Sequence, residues 1–272
     1  MPLTMRATKH PLGIGLLAAM LFAALSSPAW ATALRVDYAI TLAGLSLGNA
    51  GLDGTFDDQR YDMRLTGKLT GIVGALSGNS TGGAAARGTV AGSRVVSNGF
   101  SANARSGGNE RTVMIGVASG NVTSISIVPP FERNYPVVPL GENDTRNVTD
   151  PLSGLVGVIA GGKLDDPANC NRTVPVFDGT QRFNVQLSYA GTRLVRKPGF
   201  TGNVLVCNVR YTPVAGHRTD RPSVQFMRDN RDMQVWLAQV EGTRLLLPVR
   251  ISVQTMIGLS VVEAQNWVIR GR

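Results

Sequence analysis

The sequence has few residues of the kinds that carry catalysis or bind metals. It contains two cysteines and two histidines, and aromatic residues make up 6% of its 272 positions. There is no C-x-x-C pair for redox chemistry, and no set of partners that would let a histidine bind zinc. Despite a net charge of +9, the basic residues are scattered and not interleaved with aromatics as in single-strand binders. We therefore expect no enzyme, no cofactor, no metal site and no nucleic-acid partner.

Long apolar runs are also scarce, and the one that is present lies near the N-terminus. A positively charged start precedes an apolar run over residues 12–25, and the Ala-Trp-Ala triplet at 29–31 matches an A-x-A cleavage pattern. The alternative is a membrane-spanning helix that stays in place, but the run is shorter than the roughly 20 residues that a span needs. We predict a signal peptide over residues 1–31 and an exported chain that begins at Thr32 and is not an integral membrane protein.

The two cysteines enclose a readable β-hairpin. Residues 174–177 can run extended, Asp178-Gly179 can turn, and residues 183–189 alternate between apolar and polar side chains. In an oxidising compartment Cys170 and Cys207 are expected to form a disulfide, with two buried free thiols as the alternative. The bond would tie the entry of the hairpin to the strand that follows it.

Period-two alternation recurs along the rest of the chain. Residues 34–42 and 61–69 alternate clearly, and a strand pair over 88–96 and 99–104 is expected to turn at Asn98-Gly99. The segment Gly71–Gly83 is rich in glycine and serine and reads as a loop. We count roughly a dozen short strands, and 32 glycines suit a strongly curved sheet.

One stretch predicts a helix. Asp150 can cap it, Pro151 suits the first helical position, and Gly161-Gly162 ends it. An apolar stripe runs along the expected helix, formed by Leu152, Leu155, Val156 and Ile159. This stripe must pack on something, and the inner face of the sheet is the available partner.

The expected fold is mainly β. It is a single domain over residues 32–272, with a highly curved antiparallel sheet or half-barrel (open β-barrel) and one short helix on its concave face. Either the helix fills the sheet and makes a closed core, or its apolar stripe lines a ligand cavity. In the second case the helix and the segment Gly71–Gly83 would control access.

Three motif-like stretches do not predict catalysis. The G-x-S-x-G match at residues 44–48 lies in a β-type run and lacks the strand-to-helix elbow that exposes a nucleophile. The glycines at 157–162 precede Lys163 as in a P-loop, but Leu164 replaces the magnesium-binding serine or threonine. His217 follows a strand and is interpreted either as a polar group at a pocket mouth or as a loop residue with a local hydrogen bond.

The pattern resembles the exported bacterial domain-of-unknown-function 3108 family. The matching pieces lie in order along the mature chain: Tyr38 with residues 44–48, Asp150-Pro151-Leu152, Cys170, residues 177–179, Cys207, Pro213, residues 216–218, Trp236-Leu237 and residues 248–250. The resemblance implies a protein of the Gram-negative envelope with no established activity. It also suggests a curved sheet around a helix, similar to lipid-carrier half-barrels.

Two functions remain open. The first is non-catalytic periplasmic binding of a lipid-like or other apolar ligand, with arginines at the rim meeting anionic head groups. The second is an envelope structural or assembly factor that binds other proteins through an exposed strand edge or through the proline-rich residues 129–140.

Overall fold

The computed structural model describes residues 31–70, 80–132 and 134–270, and the predicted signal peptide lies outside them except for Ala31. In the first half of the chain the strands are β1 (Thr32–Leu42), β2 (Leu45–Phe56), β3 (Arg60–Leu69), β4 (Thr81–Ala91), β5 (Arg94–Ser106), β6 (Asn109–Ala118) and β7 (Asn121–Val128). In the second half they are β8 (Gly157–Val158), β9 (Arg172–Phe177), β10 (Arg182–Lys197), β11 (Phe200–Ala215), β12 (Met233–Gln239), β13 (Leu245–Thr255) and β14 (Gly258–Arg270). The α-helix is α1 (Pro222–Asp229), and 3-10 turns cover Glu142–Thr145, Ser153–Leu155 and Pro167–Asn169.

All the strands belong to one antiparallel sheet. Its order is β7-β6-β5-β4-β3-β2-β1-β14-β13-β12-β11-β10-β9, and β8 pairs separately with β13. Most neighbours are consecutive in the chain, and the pairing of β1 with β14 joins the two halves. The expectation of a mainly β fold with an open, highly curved antiparallel sheet is confirmed.

The sheet curves around a core supplied by alternate residues of its strands. In β1, Leu34, Val36 and Tyr38 are buried and point to one side, as their period-two spacing requires. They share a hydrophobic cluster with Phe56 of β2 and Trp267 of β14. Between them, Arg35 and Asp37 form a 2.9 Å ion pair on the outer face. The alternation in the sequence therefore separates the interior from the surface.

The two ends of the strand order, β7 and β9, approach each other without pairing. Residues 148–149 span the gap: the backbone N–H of Val148 donates to Gly120, and that of Thr149 donates to Pro175. Phe177 of β9 also packs with residues of β6 in a separate hydrophobic cluster. Side-chain packing and one crossing segment, rather than a strand ladder, hold the sheet in its curved form.

The prediction of a helix at residues 150–160 is wrong. These residues, which we call the inner segment, form the 3-10 turn Ser153–Leu155 followed by strand β8. The single short helix of the described chain is α1, which lies against β11 and buries none of its residues. None of the helices in the described ranges is long and apolar enough to cross a membrane.

Competition from the sheet explains why the inner segment is not helical. Gly154, Gly157 and the β-branched residues around them have low helix propensity. The first residues of β13 offer an unpaired edge, and Gly157 and Val158 pair with Leu246 and Leu245 there. A Cβ on Gly157 would lie 2.9 Å from the Cβ of Leu246, so this close approach needs glycine.

Asp150 begins the inner segment and caps it as predicted, although the element that it caps is a 3-10 turn and not an α-helix. Its carboxylate accepts hydrogen bonds from the backbone N–H of Leu152 (3.0 Å) and of Ser153 (2.8 Å). The Ser153 hydroxyl donates to the same carboxylate. Burial nevertheless raises the pKa of Asp150, because loss of hydration outweighs these hydrogen bonds.

Wild-type stability should therefore fall relative to Asp150→Asn as the pH rises. A carboxyl whose pKa is raised by folding binds its proton more tightly in the native state. The stability gained from this tighter proton binding is fully present below the pKa of the carboxyl in the unfolded chain. It is lost as the pH rises through the pKa of the carboxyl in the folded protein. Asparagine stays neutral and keeps an acceptor oxygen, so urea unfolding of both proteins from about pH 3 to pH 7 measures the difference. Parallel pH profiles would contradict this prediction.

The central hairpin agrees with its prediction. Strands β9 and β10 meet in a turn over residues 178–181, where the Asp178 carboxylate accepts from the backbone N–H of Thr180 and Gln181. Gly179 has a φ of 98°, which a residue with a side chain rarely adopts. The Cys170–Cys207 disulfide is present and ties the start of β9 to β11.

Two predicted turns differ from the structure. Asn98-Gly99 does not end a strand: it lies inside β5, where the register with β4 shifts between Arg87 and Gly88. The chain instead reverses between Ala91 and Arg94. Of the loop expected at Gly71–Gly83, residues 81–83 belong to β4, and residues 71–79 lie outside the described chain.

Candidate ligand-binding cleft

A cleft of about 500 Å³ opens where the two ends of the sheet meet at one rim. This rim, the upper rim, carries the β4–β5 and β6–β7 turns and the start of β9. The inner segment forms its floor. The lining residues are 93–96, Ser119, Gly120, 147–149, Ser153, Val156, Ala160, Ala168 and 171–175. A volume of this size is within the range of about 300–1,000 Å³ that small-molecule sites occupy.

The lining is mostly apolar or uncharged, with two cations. Val95, Val148, Val156 and Val174 supply apolar surface. Arg94 is exposed at the mouth, and Arg172 is half-buried. No aspartate or glutamate of the described residues lines the cleft. The cleft therefore combines apolar walls with an uncompensated positive charge.

Arg172 is the unusual residue of this cleft. It begins β9 two residues after Cys170, and its guanidinium lies over the backbone of Gly157, with Nη2 3.2 Å from the position a Cβ there would occupy. Its Nε is buried and has no hydrogen-bond partner among the described residues. Burial lowers the pKa of this arginine, since the charged form loses water without gaining a counter-charge. The Thr149 hydroxyl in the same lining is also buried and unpartnered in the described chain.

Other depressions offer weaker chemistry. One of about 520 Å³ lies on the outer face above Gly51, but its Arg35 already pairs with Asp37 (2.9 Å) and Asp53 (2.6 Å). A smaller one of about 170 Å³ contains Arg218. That guanidinium pairs with Asp220 at 2.8 Å and stacks over Tyr135. Lys68 in the first and Arg221 in the second form no ion pair in the described chain, but both are exposed to solvent, whereas Nε of Arg172 is buried. The cleft at the upper rim is therefore the better candidate.

The structure distributes the four predicted lining residues between the cleft and the core. Val156 lines the cleft. Leu152 is 3% exposed and lies in the main hydrophobic cluster, against which the half-buried Leu155 packs. Ile159 belongs to a second cluster that includes the disulfide. The inner segment thus carries both core packing and one wall of the cleft.

The other motif-like stretches of the sequence lie in ordinary turns and strands. Residues 44–48 form the β1–β2 turn and the first part of β2, and residues 157–163 form β8 and the bend after it. The carbonyl of His217 accepts from the backbone N–H of Val138, while its buried Nδ1 has no partner in the described residues. Within the described ranges, no group of three or more His, Cys, Asp or Glu side chains could hold a metal ion.

Sequence reasoning missed Arg172 and Thr149. A usable signal existed for Arg172, because it shares one face of its strand with Val174 and Val176 at a spacing of two residues. A charge on an apolar strand face marks a special position. No comparable signal pointed to Thr149, whose place is set by the crossing of residues 148–149 between β9 and the β6–β7 turn.

A curved antiparallel sheet that wraps an inner segment and stays open at its ends defines an open, β-barrel-like protein. The chain belongs to the family described as protein of unknown function (DUF3108), whose model matches residues 37–265. Among solved structures it is similar to a β-barrel-like protein of domain of unknown function DUF1849 from Brucella abortus. That similarity has a TM-score of 0.48 and 9% identity and covers 89% of this chain and 99% of that one. None of the curated proteins compared with the sequence matches it.

Proposed function

We propose that this is an exported, non-catalytic protein of the Gram-negative periplasm that binds a lipid-like or other apolar ligand in the upper-rim cleft. The cleft itself carries the proposal: about 500 Å³ is bounded by valines of four different chain segments. Apolar walls favour apolar ligands because their burial removes hydrocarbon surface from water. The signal-type N-terminus and the Cys170–Cys207 disulfide support export, since disulfides persist in oxidising compartments.

Filling the cleft should weaken ligand uptake without unfolding the protein. Val174 lines the cleft and is half-buried, so Val174→Phe would occupy ligand space from the β9 side. We expect uptake of a fluorescent fatty acid to weaken about tenfold or more, which corresponds to roughly 1.4 kcal/mol. Fluorescence titration of the protein purified from the periplasmic fraction measures this.

A matched control places a phenylalanine elsewhere on the sheet. Ile125 on β7 is 45% exposed and does not line the cleft, so Ile125→Phe should bind the probe like the wild type. Equal binding by the wild type and Val174→Phe would reject the cleft as the site. Absence of the protein from the periplasmic fraction would reject export.

A second candidate function is binding of envelope proteins through β7. This strand pairs with β6 and has no strand hydrogen-bonded to its other edge in the described sheet. Val128 at its end is 62% exposed. Free edges can accept a strand from a partner. Lipid extraction and mass spectrometry of the periplasmic protein separate the two candidates, because only the first predicts a co-purifying apolar ligand.

A further inference from the structure

The guanidinium of Arg172 differs from the other inner or half-buried cations in what surrounds it. Arg35, Arg218 and Arg250 each form an ion pair with a carboxylate within 3.2 Å. Arg111 and Arg182 are half-buried without an ion pair, but each donates a hydrogen bond to a backbone carbonyl. Arg172 has neither kind of partner among the described residues, and its Nε is fully buried. A buried charge without a counter-charge is costly, so its position needs a reason.

The surroundings of Arg172 exclude an internal counter-ion. No described acidic residue lines the cleft. The carboxylate of Asp150, at the start of the inner segment, is already occupied by the backbone and hydroxyl groups of Ser153 and the backbone of Leu152. The carboxylate of Asp166, near the other end, accepts from the backbone N–H of Ala168. No carboxylate near Arg172 in the described chain is therefore available as a counter-ion, and an anionic ligand in the cleft would supply one.

We propose that Arg172 binds the anionic head group of the ligand, a carboxylate or a phosphate, inside the cleft. This inference rests on the proposed function and adds the chemical class of the ligand. A guanidinium presents a planar fork of N–H donors that matches two oxygens of either group. The Thr149 hydroxyl supplies a further donor in the same lining, and Arg94 places a second positive charge at the mouth.

The valines of the cleft then hold the start of the apolar chain. Val148 and Val174 lie in the same lining as the guanidinium, so an oxyanion on Arg172 leaves its hydrocarbon against them. This arrangement selects amphipathic molecules with one anionic end. It discriminates against neutral molecules of the same length, because those leave the guanidinium, whose Nε is buried, without a partner.

The test uses three ligands with the same ten-carbon chain: decanoic acid, decyl phosphate and decanol, each below its aggregation concentration. The wild type should bind at least one of the two anions about tenfold or more tightly than decanol. Whichever anion binds more tightly identifies the source of the head group as a carboxylate or a phosphate. Displacement of a fluorescent probe or isothermal titration gives the affinities.

Variants of Arg172 then assign the preference to this residue. Arg172→Met should bring the anions and decanol to within about twofold of each other while decanol binds at least as tightly as to the wild type, and Arg172→Lys should keep part of the preference. Arg172→Met should also raise the melting temperature of the ligand-free protein, because it removes an unpaired, partly buried charge. Arg87→Met, on the exposed face of β4, is the matched control and should change neither property.

The outcomes separate this inference from the proposed function. Equal binding of acid, phosphate and alcohol by the wild type would overturn the anion site and leave apolar binding standing. A melting temperature that falls in Arg172→Met with an unchanged ligand preference would show that Arg172 is a packing residue. Failure of all three ligands to bind would overturn the proposed function.

Discussion

Replacing both Cys170 and Cys207 with serine is expected to lower the free energy of unfolding by about 4 kcal/mol. The disulfide closes a sequence separation of 37 residues, and on the chain-entropy model a loop of that size restricts the unfolded state by this amount. Both sulfurs are fully buried beside Leu205 and Leu246, so the bond also lies inside a packed cluster. Urea unfolding of the wild type and the double variant measures the loss.

The fold should survive this replacement. Strands β9 to β11 pair through long ladders that do not depend on the bond, so circular dichroism should show unchanged β content. Urea unfolding of the wild type in the presence of a reductant, with both thiols free, is the matched control and should reproduce the loss. Two thiols titrating in the denatured, unreduced protein would show that the bond does not form.

The second large effect is expected from Leu152→Ala, with a loss of about 2–5 kcal/mol. Leu152 is 3% exposed and packs in the main hydrophobic cluster, so truncation removes buried hydrocarbon and leaves a cavity. The surrounding strands form a continuous sheet and cannot collapse easily onto the space. Equilibrium unfolding in urea gives the value.

Leu155→Ala is the comparison on the same inner segment. Leu155 is half-buried and does not line the cleft in this structure, so its truncation should cost less than that of Leu152. A cost below that of Leu152→Ala together with altered fatty-acid uptake would place it on the ligand's path. A loss under about 1 kcal/mol for Leu152→Ala would mean that the inner segment is not packed inside the sheet.

Much of the sheet could be predicted because its signal is local. Residues 34–42 and 61–69 alternate in the sequence, and they form β1 and β3 with the apolar residues inside. The turn at Asp178-Gly179 was predicted from the turn preference of this dipeptide. The disulfide was predicted from the oxidising compartment that the signal peptide implies. Each of these features depends on residues whose preferences agree with the final structure.

The two main errors arose where a local signal had more than one use. Asn98-Gly99 is typical of a hairpin turn, but the same dipeptide also fits a shift of register within a strand, and the neighbouring strand decides between them. The cap and apolar stripe at 150–159 suit a helix, but in the structure Gly157 and Val158 pair with the free edge of β13 and form a strand. The partner that decided each case is remote in sequence.

The sequence by itself determined the mainly β class, most strand positions and the buried face of the clearly alternating strands, because alternation and turn chemistry act over a few residues. It also favoured the disulfide over two free thiols, because of the expected oxidising compartment. Only the tertiary structure decided that the two ends of the sheet stay unpaired, that the inner segment enters the sheet as a 3-10 turn and a strand, and that Arg172 faces a cleft without a counter-ion. These features depend on contacts between β9, β13 and the segment before them, which are brought together by the curvature of the whole sheet. Whether a side chain is buried and whether its charge is compensated depend on these long-range contacts, so a local sequence pattern does not predict them.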